Sequence, residues 1–307
     1  MMYKKWVSFL IWVMVSVVVT AAPFESILKM GASAEMVANG SVIGWSHTAA
    51  GVFENPASLT RIKSGSVSLF TTALMNEVTY QNVGVGVLLP FGVLAAGYME
   101  ATVPNIPHTG VSDMNEFYVK EWFDYKDSLM RVGYQVQPLS EWSIGLVATA
   151  YNRTAYKVNG TAFSLDIGSL WTENDWEVSV LARNILTSQG GMKTTFDNGV
   201  TRYEAMPLES VVGARWVFGK WGSIGGQYEI GSTSTWASFI RFNPLASSIL
   251  SVHAGLKQIP QLQSMRTGYT LGVSVELLTL SAQYGFETIP DHPEMTAQHY
   301  VSVAFEF

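Results

Sequence analysis

The chain has 307 residues, 18 Lys+Arg against 24 Asp+Glu, and a formal net charge of -6. Only 14% of residues are charged, against about 25% in an ordinary soluble domain. A net-negative chain with no Lys/Arg cluster beyond residue 5 cannot neutralise a row of phosphates, which argues against nucleic-acid binding. The absence of Cys excludes disulfide scaffolds, thiol catalysis, Cys-ligated metals and a lipid anchor on cysteine.

Residues 1–21 read MMYKKWVSFLIWVMVSVVVTA. Lys4 and Lys5 precede an apolar core of 14 residues from Trp6 to Val19. This is the pattern of a secretory signal peptide, and it is short for a membrane-spanning helix. Cleavage after Ala21 is expected, because cleavage after Ala22 would place Pro23 first. The rest of the chain has no apolar run long enough for a helical span. Low charge without apolar blocks fits a transmembrane β-barrel, where lipid-facing residues occupy every second position.

Residues 22–65 carry no clean alternation. They hold a short helix candidate at Ile27–Val37, which contains Gly31, then a Gly-rich stretch and Asn55-Pro56-Ala57. The segment is too long for a simple tail. It is expected to enter the lumen as a hatch or plug, or else to cap the barrel rim.

Alternation begins near residue 66 and is cleanest at the end of the chain. Leu271, Val273, Val275 and Leu277 share one face, as do Val301, Val303, Phe305 and Phe307. The pattern predicts strands near 66–75, 78–89, 91–100, 128–137, 141–152, 160–170, 176–184, 208–218, 221–230, 234–242, 247–258, 268–277, 278–287 and 298–307. Strand 234–242 is the least regular, since Phe239 and Arg241 share a face. From the second connection onward, alternate connections are short and the intervening ones are mostly long, as expected for periplasmic turns and extracellular loops. The expected architecture is therefore all-β: a signal peptide (1–21), a hatch or plug (22–65) and a 14-stranded antiparallel barrel (66–307) in the bacterial outer membrane, with both termini periplasmic.

The apolar registers place Arg131, Asp166, Arg183, Arg215, Glu229, His253, Lys257 and Glu276 in the lumen, since a charge facing lipid at midplane costs about 2–4 kcal/mol. These residues form either a polar conduit with a constriction or a mutually paired structural network. The long loop expected at 101–127 holds Phe117, Tyr118, Trp122, Phe123 and Tyr125 among acidic residues. It reads as an extracellular capture site or as part of an aromatic girdle. The terminal Phe307, with Phe305 on the same face, resembles the signal read by the barrel assembly machinery. His253 shares a face with Ser251, but no nucleophile, zinc or phosphate-loop motif occurs. No enzyme activity, cofactor or resident metal is expected. A weak adventitious metal site at His108 or at Asp291-His292 is the one alternative.

Gly31-Ala32-Ser33-Ala34-Glu35-Met36 and Phe53-Glu54-Asn55-Pro56-Ala57-Ser58-Leu59 resemble the N-terminal "G-A-x-A … W-N-P-A-G-L" pattern of the PorV/PorQ family, within the FadL-like outer-membrane transporters. Ala162 to Gly168 with Leu181-Ala182-Arg183-Asn184, Met206-Pro207-Leu208 to Ala214, and Leu271 through Phe305 resemble further family stretches in the same order. The resemblance implies a fourteen-stranded barrel with the Asn-Pro-Ala segment in a hatch. It implies transport of small hydrophobic molecules that move sideways through the wall. Its PorV-like alternative is a type IX secretion component that docks secreted proteins, and a structural barrel or general porin is a third reading. The implied partners are outer-membrane lipid, the assembly machinery, and a hydrophobic ligand or a secretion-system protein.

Overall fold

The computed structural model describes residues 27–74, 77–247, 249–260, 264–290 and 297–307. The signal-peptide reading of 1–21 and the Asp291-His292 pair lie outside the described residues. The strands are β1 (Gly65–Leu74), β2 (Val78–Leu89), β3 (Gly92–Val111), β4 (Phe117–Leu139), β5 (Trp142–Ala155), β6 (Val158–Glu173), β7 (Trp176–Thr187), β8 (Gly191–Phe196), β9 (Thr201–Ala205), β10 (Glu209–Val217), β11 (Gly222–Ile230), β12 (Thr235–Phe242), β13 (Leu250–Pro260), β14 (Met265–Leu277), β15 (Leu280–Thr288) and β16 (Gln298–Glu306).

All pairings are antiparallel. β1 pairs with both β2 and β16, which closes the sheet into a 14-strand barrel. β8 and β9 stand outside the ring: this hairpin adds to the upper part of β6, pairing Val158–Thr161 with Lys193–Phe196. The connection expected as a plain loop at 185–207 therefore carries its own hairpin. It can do so because β7 leaves β6 early. Between Leu165↔Leu186 and Ile167↔Ala182 the register shifts, and Asn184, at φ 59, donates its backbone N–H to Asp166 Oδ1 at 2.9 Å.

The expectation of a loop at 101–127 also needs correction. β3 and β4 run on past the rest of the wall as a long hairpin, paired as far as Val111↔Phe117. Alternation was unreadable there because both faces of the extension meet solvent, and Phe117, Val119 and Trp122 are all exposed. Strand 234–242 forms despite its irregular pattern. Phe239 and Arg241 both face inward because the lumen is filled with protein, and Phe239 packs on Trp45 with ring centroids 5.9 Å apart.

The wall is inverted relative to a water-soluble barrel. Leu69, Leu94, Val132, Leu146, Ile240, Leu271 and Val303 are exposed on the outer face, while Ser68, Arg131, Thr149, Ser179, His253 and Ser302 are buried on the inner one. Trp142 pairs with Trp171, and Trp176 with Trp216, in outward registers at the end of the barrel that carries Phe307.

The N-terminal segment occupies the interior. The helix expected over Ile27–Val37 is split by Gly31, whose φ of +109 breaks it into a 3-10 turn (Ile27–Met30) and α1 (Ala34–Ala38). Ser33 caps α1, its hydroxyl accepting from Met36 N at 3.1 Å, as an N-cap serine does. Further 3-10 turns follow at Ala49–Val52 and Pro56–Arg61.

Candidate lumenal site

Hydrogen bonds tie the interior segment to the wall around most of its circumference. Tyr80 on β2 donates to the Gly31 carbonyl at 2.5 Å. Ala34 N donates to Ser302 Oγ on β16 at 3.1 Å, and Gly40 N to Thr270 Oγ1 on β14 at 3.0 Å. Ile43 N reaches Gln227 on β11 at 2.9 Å, Ala49 N reaches Ser66 on β1 at 3.0 Å, and Ser143 on β5 donates to the Ala57 carbonyl at 2.8 Å. Such bonds satisfy backbone groups that short turns leave unpaired away from water.

Asn55 is the best-connected residue of the segment. Its Oδ1 accepts from Ala57 N at 3.0 Å and caps the turn that Pro56 begins. Its Nδ2 donates to Ser179 Oγ at 2.9 Å, Val180 O at 3.2 Å and Ser169 O at 3.3 Å, across β6 and β7. Pro56 and Ala57 are buried beside it. Gly168 makes this approach feasible, since a Cβ there would lie 1.9 Å from Asn55 Oδ1. Asn55 thus fastens the segment to the regularly paired part of β6 and β7, a few residues from their register shift.

The inward charges lie in pairs. Arg131 and Asp166 form an ion pair buried to within 1% of full enclosure, and Arg131 also donates to the Phe53 carbonyl at 2.9 Å. Arg215 meets Glu177 at 2.5 Å, and Arg61 of the segment shares that carboxylate at 2.7 Å. Lys257 pairs with Glu287 at 2.7 Å and Glu276 with Arg241 at 3.3 Å. Arg241 also reaches Glu35 at 3.0 Å. Lys29 spans Glu209 at 3.1 Å and Glu229 at 3.4 Å, while Arg183 lies 3.8 Å from Glu209.

Several partners were missed from sequence: Glu177, Glu209, Glu287, Arg241 and the segment's own Lys29, Glu35 and Arg61. For Glu177 the signal was available, since it has the same strand parity as Ser179 and Arg183. The segment's charges had none, having no alternation to place them.

His253 does not pair with Ser251, its neighbour in the sequence reading. Its Nδ1 lies 2.9 Å from Asn39 Oδ1 and its Nε2 lies 2.8 Å from Ser274 Oγ. The order Ser–His–Asn has the connectivity of a nucleophile, base and orienting group, but His253 is fully buried and Ser274 is 1% exposed. No acyl carbon reaches that hydroxyl in this packing, and the trio acts as another tie between α1 and the wall. His108 lies 3.3 Å from Glu121.

Glu54 is 3% exposed and borders a cavity of about 20 Å³ shared with Ser33, Glu35, Asn39 and Trp45, roughly enough for one water. Gly44 N donates to its Oε2 at 3.3 Å. Burial first of all, and the nearby Glu35, push its carboxyl up to about 8 against hydrogen bonds from Gly44 and Ser33 that pull it down. A group whose folded value exceeds its unfolded value binds more protons when folded, so stability falls as pH rises between the two. The packing of the segment should therefore loosen as pH climbs from about 5 to beyond 8. Protection of the Gly44 and Ser46 amides, taken relative to the intrinsic exchange rate at each pH, should fall over that window in the parent and stay flat in Glu54→Gln. Equal profiles in the two proteins would refute this assignment.

Of the aromatic residues expected in a loop, Phe117, Tyr118 and Trp122 are exposed on the projecting hairpin. Phe123 packs on Tyr156 at 5.3 Å, and Tyr125 is half-buried. Phe305 and Phe307 stack 6.0 Å apart on the outer wall.

No protein-family model and no curated protein matches the chain. Solved structures do. The crystal structure of the P. putida toluene transporter TodX aligns with a TM-score of 0.63 at 10% identity, covering 90% of this chain and 98% of that one. A second crystal structure of the Pseudomonas putida transporter gives 0.62 at 10% identity, covering 94% and 99%. A TodX deltaS2 mutant, described as a monoaromatic hydrocarbon channel, gives 0.61 at 11% identity, covering 92% and 100%. The chain shares the closed 14-strand antiparallel barrel fold of TodX.

Proposed function

We propose that this chain is an outer-membrane barrel that passes small hydrophobic molecules, with residues 27–62 acting as its hatch. The observation that carries the reading is the fastening of Asn55-Pro56-Ala57 to paired residues of β6 and β7 (Ser169, Ser179 and Val180), a few residues along the strands from the break in their ladder at Asp166. A hatch released there would open a path next to the interior apolar cluster that includes Met99, Leu129, Tyr151, Leu181 and Met192. The exposed apolar outer wall and the paired tryptophans suit a lipid setting with an aromatic girdle. The filled, charge-paired lumen argues against a general porin. Export by the cleaved signal at 1–21, periplasmic termini, and an assembly signal at Phe305 and Phe307 belong to the same proposal. The narrower placement with PorV/PorQ rests on the N-terminal and strand motifs.

Native mass spectrometry with lipid extraction, on protein from outer membranes in mild detergent, tests this. A bound apolar molecule such as toluene or a fatty acid, lost in Asn55→Ala, is the expected result. A barrel that is empty and instead carries a stoichiometric protein overturns it in favour of a PorV-like docking role. That second reading is favoured by one feature, the exposed Phe117, Tyr118 and Trp122 on the projecting hairpin.

A further inference from the structure

A groove of about 370 Å³ runs along the outer wall where the barrel closes, across β16, β1, β2 and β3. Its sides are Leu69, Val83, Tyr98 and Val303, with Thr71 and Gln81 toward the end remote from Phe307. The ladder beneath is unbroken: β2 and β3 pair without a shift from Thr79↔Thr102 to Leu89↔Gly92, and β1 and β16 from Ser66↔Glu306 to Thr72↔Tyr300. The groove is therefore a surface feature and not an opening into the lumen. The Tyr98 hydroxyl donates to Glu100, whose carboxylate meets Lys126 at 2.5 Å. Both charges lie on the outward register of their strands, just beyond the groove's polar end.

We infer that the groove holds one acyl chain of a zwitterionic glycerophospholipid. The inference rests on the membrane setting proposed above. Apolar walls suit the chain, and the hydroxyl of Thr71 and the amide of Gln81 suit the ester region. A group of this kind facing hydrocarbon needs a hydrogen-bond partner. The Glu100–Lys126 pair presents one negative and one positive charge side by side, which complements an ammonium and a phosphate on one headgroup. A purely anionic headgroup would meet Glu100 unfavourably.

The test folds the full chain into vesicles of phosphatidylethanolamine, phosphatidylglycerol or lipid A, checks the folded band by heat-dependent gel mobility, then extracts gently for native mass spectrometry. One phosphatidylethanolamine per barrel is expected, with anionic lipid retained about fivefold less. Val83→Trp, which fills the groove, should lower retention about tenfold, and Glu100→Gln, which removes the charge that repels an anionic headgroup, should abolish most of the headgroup preference. The gel check shows whether either variant has simply failed to fold, and Leu69→Trp serves as a second groove-filling variant. A folded, inserted barrel that retains no lipid, or retains all three equally, overturns the groove while leaving the membrane setting intact. Failure to insert into any vesicle overturns the membrane setting first.

Discussion

Arg131→Met should destabilise the folded barrel by about 3–5 kcal/mol, the usual loss when one member of a buried ion pair is removed. Arg131 is fully enclosed and Asp166 is 1% exposed, so the orphaned carboxylate has no water to turn to. The substitution also strips the donor from the Phe53 carbonyl, 2.9 Å away, where the interior segment lies against β4. Urea unfolding of vesicle-embedded protein, followed by tryptophan fluorescence, measures the change. The double variant Arg131→Met, Asp166→Leu should recover most of it, because apolar groups of similar volume often replace a buried pair without loss. A single variant within about 1 kcal/mol of the parent would show that water reaches Asp166 and that the pair is not sealed.

The same pair shows why the barrel was legible in the sequence. An inward arginine on β4 and an inward aspartate on β6 were placed by parity alone, since a strand alternates strictly and each outward neighbour, such as Met130 or Ile167, is apolar. Strand positions follow from that two-residue period because lipid-facing and lumen-facing residues differ in chemistry. Where both faces meet the same medium the period carries no information, and β3 beyond Val103 and β4 before Tyr125 vanish into an apparent loop. β8 and β9 were lost for a related reason: they are short, and their neighbour is β6, reached only because β7 departs at Asp166.

The candidate site was legible in part of its membership and in none of its connections. The sequence singles out Asn55-Pro56-Ala57 within the segment before β1 and through the family resemblance, while the cap that Asn55 places on Ala57 N emerges only with the fold. Nothing local says that Asn55 would reach Ser179, 124 positions away. Arg61 and Arg215 share Glu177, and His253 finds Asn39 and Ser274, through the same kind of long-range closure. Phe239 beside Arg241 shows the converse: an apolar residue on a lumenal register was the trace of something packed inside, here Trp45.

Asn55→Ala should free the interior segment without dissolving the barrel. It removes the cap on Ala57 N, a loss of about 1 kcal/mol, and three donor contacts to β6 and β7, for about 2–3 kcal/mol in all. The loss falls on the segment, because the wall keeps its own ladder. Amide exchange over Gly44–Ser58 should accelerate about thirtyfold or more, while amides of β14 and β15 keep the parental rate. Asn55→Asp separates the two contributions, since it retains the accepting oxygen for Ala57 N but has nothing to donate to Ser179. Gly168→Ala supplies the control on geometry: its methyl would sit 1.9 Å from Asn55 Oδ1, so it should release the segment much as Asn55→Ala does. Combining the two should add far less than their sum, because the truncated side chain leaves room for the methyl. Simple additivity, or unchanged exchange in the segment, would mean that Asn55 does not fasten it and that the proposed hatch is held elsewhere along its length.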